Sequence, residues 1–223
     1  MFTPAVFRYL KSEYVEAFWA DGSLRLSSFA QFATHADEQR HDASEGSASV
    51  ICRTDDGGGQ TIAARAVLGQ NAYVLCGGTH HDPRLMKAFD CDSYIRIENP
   101  IAFGQAVARR ISGFSGGAEG LCLYQSLRGI ERDPGFVDVM HTAPDGTTTY
   151  DQELLLGTIT GAADHAPLFL KEKRFAHQAE YRLFWFTDGI VPPHLRVKAP
   201  DARQFCSPSH DPHLLRLALR PGG

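Results

Sequence analysis

Glu180 opens the run Glu180-Tyr-Arg-Leu-Phe-Trp-Phe186, where the basic, irregular-looking stretch Lys171 to Gln178 meets strongly apolar sequence. Alternation along a strand puts Glu180 and Arg182 on one face, opposite Tyr181 and Leu183. A carboxylate fixed there can steady a cationic sugar transition state or orient a nucleophile. The same two residues can equally form an ion pair on a strand face.

Other side chains could join it. Arg8 and Tyr9 lie on an opening strand, and an arginine fork suits phosphate; a surface arginine on an edge strand is the plainer alternative. Ser27, closing a second strand, could bond a ribose or simply end the strand. His80 and His81 follow an apolar strand through Cys76, where a base or a substrate contact could sit, or they are loop histidines. The segment with Asp37, Glu38, Arg40, His41, Asp42 and Glu45 offers carboxylates to a hard cation. Its spacing is not that of an EF-hand, and a solvated loop fits as well. No zinc spacing is present, so no metal-ligand set is read. Gly57 to Gly59 lacks the Lys-Ser/Thr pair of a phosphate loop and reads as a hairpin tip. No serine elbow, dinucleotide fingerprint or HExxH occurs.

The elements that must position these groups follow from pattern. Strands are expected at Ala5–Leu10, Ser23–Ser28, Ala48–Arg53, Ile62–Leu68, Ala72–Cys76, Ser93–Glu98, Gly120–Gln125, Phe136–Met140, Thr148–Tyr150, Tyr181–Phe186 and Leu214–Leu219. Ser12 should cap a helix with Tyr14, Val15, Phe18 and Trp19 on one face, stopped by Asp21-Gly22. Asp82-Pro83 and Asn99-Pro100 each pair a cap with proline at the first helical position. The second of these helices should reach Ile111. The tally predicts an α+β chain with a mostly antiparallel, possibly split sheet and about three helices, mainly in the N-terminal half.

The chain has 223 residues, 43% hydrophobic and 22% charged, with no linker-like break. One globular domain over 1–223 is the expectation. A net charge of −4 and a pI near 6.2 give no whole-chain support for nucleic-acid binding. The five cysteines have wide spacings and no CxxC, which fits a reduced, cytoplasmic compartment. No apolar run is long enough to span a bilayer, so no membrane partner is expected.

Taken in order, the pieces resemble a known family. They are Phe7-Arg-Tyr9, Gly22-Ser-Leu-Arg-Leu-Ser-Ser-Phe29, the acidic segment ending Asp42-Ala-Ser-Glu-Gly46, Tyr73-Val-Leu-Cys76, and Phe175 followed by Glu180-Tyr-Arg182. The chain resembles a broad bacterial domain family associated with abortive infection and phage defence, itself similar to remote members of the ADP-ribosyltransferase superfamily. That resemblance implies an ADP-ribosyltransferase-like fold. It also implies an enzyme that cleaves NAD, its substrate, and passes ADP-ribose to a macromolecular acceptor, protein or nucleic acid. A toxin or defence role follows, with an antitoxin or other defence partner. By the same resemblance, Glu180 would stabilise the oxocarbenium-like state, and Gln178 would choose the acceptor. Arg8, Tyr9, Ser27, Arg182 and His80 would hold the dinucleotide. The chain departs from the family where the first glutamate of its late E-x-E pair is Gln178. Two alternatives stand beside this one: a non-catalytic ligand- or protein-binding module of a defence system, and a metal-dependent nuclease built on the acidic segment with His80 and His81.

Overall fold

The computed structural model describes residues 3–29, 45–54, 60–132 and 140–208. Along the chain run β1 (Val6–Leu10), α1 (Ser12–Asp21), β2 (Ser23–Ser28), β3 (Ser47–Thr54), β4 (Gln60–Val67), β5 (Ala72–Gly78), α2 (Pro83–Ala88), β6 (Ser93–Ile97) and α3 (Pro100–Ala108). They are followed by β7 (Phe114–Leu121), β8 (Leu123–Gln125), β9 (Gly129–Arg132), β10 (Met140–Thr142), β11 (Thr148–Tyr150), α4 (Gln152–Ala163), α5 (Ala166–Phe169) and β12 (Leu170–Glu172). A 3-10 helix η1 (Lys173–Gln178), β13 (Glu180–Thr187), β14 (His194–Lys198), η2 (Pro200–Phe205) and β15 (Cys206–Pro208) complete the described chain. The class is α+β with mostly antiparallel pairing, as expected.

The helix count and placement are corrected. Five α-helices and two 3-10 helices occur among the described residues, and α4 and α5 lie in the second half. Sequence reading missed α4 because Gly157, Gly161 and two threonines dilute its helical pattern. Its start is nonetheless well signalled: the Asp151 carboxylate accepts from the Leu154 N–H at 3.0 Å. The expected strand from Phe136 begins in the described chain at Met140. The expected strand Leu214–Leu219, the hairpin tip 57–59 and the acidic segment up to residue 44 lie outside the described residues.

Contacts group the described residues into two compact units, one of 3–29, 69–122 and 174–208, the other of 45–54, 60–68, 123–132 and 140–173. In the second unit, β3 pairs antiparallel with β4 and parallel with β9. Ala162 and Ala163 of α4 cover Val50 and Cys52 of β3. β12 runs parallel to β8, and β10 and β11 form a hairpin.

The first unit holds an eight-stranded sheet with β5 as its spine. β13 follows β5 from Ala72 to Gly78 along one side. On the other side β5 meets β2 at Tyr73 and Val74, and then β1 at Gly78. The sheet is therefore split, because two different strands share one edge of β5. Beyond β1 lie β6 and β15, beyond β2 lies β14, and beyond β13 lies β7.

One face of this sheet carries the core. Val6, Leu24, Leu26, Tyr73, Leu75, Ile95, Ile97, Leu183 and Trp185 pack against Val15 and Phe18 of α1 and Phe103, Ala106 and Val107 of α3. The Trp185 indole donates to the Gly104 carbonyl at 2.8 Å, so its polar edge is satisfied inside the core. Both Asp82-Pro83 and Asn99-Pro100 cap as expected, with bonds from the Arg84 N–H at 2.8 Å and the Ala102 N–H at 3.1 Å. α3 ends at Ala108, yet Phe103, Val107 and Ile111 are all buried on the expected side.

α1 differs in its start. Its cap is Lys11, with no side-chain capping bond, and the free N–H of Ser12 is met from outside by Asp92 at 2.6 Å. Tyr14 is 54% exposed and not part of the buried stripe.

None of the five cysteines is in a disulfide. Burial, helped by Glu98, pushes the Cys206 thiol up to about 12. Its thiolate is then scarce at neutral pH, and only the thiolate reacts. Iodoacetamide at pH 8 is expected to leave Cys206 unmodified in the folded protein and to label it after denaturation, read by peptide mass spectrometry. Labelling of the native protein as fast as that of the denatured chain would contradict the raised thiol.

Candidate functional site

Three strands converge where β5 ends. Gly78 faces Phe7 of β1 on one side and Glu180 of β13 on the other. Side chains opposite one another share a face, so Phe7, Tyr9, Glu180 and Arg182 leave the sheet away from the core. Tyr9 and its neighbours fix the turn after β5. The Tyr9 hydroxyl donates to the His80 carbonyl at 3.0 Å and accepts from the Asp82 N–H at 2.7 Å. Burial raises the phenol above its ordinary range, with the Asp82 N–H bond acting the other way.

Glu180 and Arg182 form a buried ion pair. The Arg182 Nε donates to the Glu180 Oε1 at 2.6 Å, and the side chains are 1% and 7% exposed for Arg182 and Glu180. The Cys122 thiol, one residue past β7, lies 3.7 Å from the same oxygen, and the Cys122 N–H donates to the Glu180 carbonyl at 2.9 Å. Cys122 was missed in the sequence, where nothing local ties it to a residue 58 positions away.

Gln178 is buried at the end of η1, the ordered form of the basic stretch that read as irregular. Its carbonyl lies over Gly78, 3.4 Å from where a β-carbon would stand. Ala179, between Gln178 and Glu180, has φ +41°. That left-handed conformation costs an alanine about 1–2 kcal/mol. It is held in place because the Thr79 N–H donates to the Ala179 carbonyl at 3.0 Å.

Two expected companions of Glu180 are not brought to it. Arg8 alternates with Phe7 and Tyr9 and so leaves from the opposite face. Its guanidinium donates to the Cys76 carbonyl at 2.8 Å, at the split where β5 passes from β2 to β1. Ser27 pairs with Val74, four residues along β5 from Gly78, which is roughly 13 Å along the strand. His80 contributes its carbonyl, and its side chain is exposed. His81 instead makes the ring contacts, 4.8 Å from Tyr94 and 5.9 Å from Phe7.

The structure thus gathers Tyr9, the His80 backbone, Gln178, Glu180 and Arg182 at one end of the sheet and leaves Arg8 and Ser27 apart. Among the described residues, no group of three or more His, Cys, Asp or Glu side chains could hold a metal. Among them, too, no helix is long and apolar enough to cross a membrane. No family model, no curated protein and no solved structure matches this chain.

Proposed function

We propose that this chain is a non-catalytic module that binds a ligand or a protein partner in a defence system. The observation that carries this reading is the buried Glu180–Arg182 pair. A carboxylate that must steady positive charge on a sugar has to meet that sugar, and it acts through charge that is preorganised but available. Here the nearest guanidinium already holds the carboxylate at 2.6 Å, and Glu180 is 6% exposed. The placement of Arg8 on the opposite face also supports the binding reading, because the phosphate contact drawn from the resemblance needs both residues on one side.

A second reading is the ADP-ribosyltransferase-like enzyme, with NAD as substrate and a macromolecular acceptor. The strained Ala179 favours it, since backbone strain beside a charged residue is found at active sites. Incubation with NAD in the presence of a cell extract as the source of acceptors separates the two. The binding module is expected to release no nicotinamide above buffer. Release by the native protein that is lost in Glu180→Gln, with circular dichroism unchanged, would establish the transferase and overturn the first reading.

A further inference from the structure

We draw no further inference here: the strongest candidate, the cluster of the Phe7, Tyr94 and His81 rings beside the Arg96 guanidinium on the face of β1 and β6 turned away from the core, is an aromatic sheet face, and nothing among the described residues shows what covers it.

Discussion

Replacing Glu180 with alanine is expected to destabilise the fold by about 3–5 kcal/mol, because it removes the carboxylate to which the buried Arg182 guanidinium donates. Arg182→Ala should cost a similar amount for the mirror reason. Both groups are at most 7% exposed, so neither can escape to water without disturbing β13. With a typical stability of about 5–15 kcal/mol, either change removes a large share of the total. The informative variant is the double one. Glu180→Leu with Arg182→Met replaces the pair by apolar groups of similar volume, and such replacements are neutral or stabilising by about 1–4 kcal/mol. Most of the single-site loss should therefore return in the double variant. Urea unfolding midpoints of the four proteins close the cycle. Single losses under about 1 kcal/mol would mean that the pair behaves like a surface bridge. The cycle also bears on function. If the double variant is stable, the pair is retained for something other than stability.

Gly22→Ala is expected to cost about 2–4 kcal/mol, from two separable causes. Gly22 ends α1 at φ +77°, where its N–H donates to the Phe18 carbonyl at 2.8 Å. A left-handed alanine costs about 1–2 kcal/mol there. A β-carbon would also stand 2.3 Å from the Pro200 nitrogen and 2.4 Å from the Ala199 carbonyl carbon. Both are backbone atoms at the entry to η2, tied to this turn by the Ala199 N–H to Gly22 carbonyl bond at 2.9 Å. They cannot rotate away as a side chain could. Gly146 is the natural control. It has φ +84° in the turn between β10 and β11, and a β-carbon there meets nothing within 4 Å. Gly146→Ala should show the conformational cost alone, so the difference in unfolding free energy between the two measures the clash. Equal losses would remove it.

Local chemistry was legible in the sequence wherever the partners are close along the chain. Asp82-Pro83 and Asn99-Pro100 mark helix starts because a cap bond spans two or three residues. Asp21-Gly22 marks a helix end, because a left-handed turn needs glycine whatever surrounds it. Alternation from Tyr181 to Trp185 placed Glu180 and Arg182 on one face, and their contact follows from that spacing. Alternation along β1 likewise separates Arg8 from Tyr9. It could not say which face Glu180 takes, because that depends on the register of β1, β5 and β13 at Gly78. Register is a pairing between residues about 70 to 100 positions apart, and no local pattern encodes it. The short strands β14 and β15 escaped notice for the same reason: each exists only through a neighbour, β2 or β6. The sequence by itself thus determined the helix ends, the strand-borne carboxylate and its nearest cation. Tertiary structure alone decided the split of the sheet, the burial of that pair, and the separation of Arg8 and Ser27 from it. Each of these is set by which strands lie side by side, and long-range packing, not neighbouring residues, makes that choice.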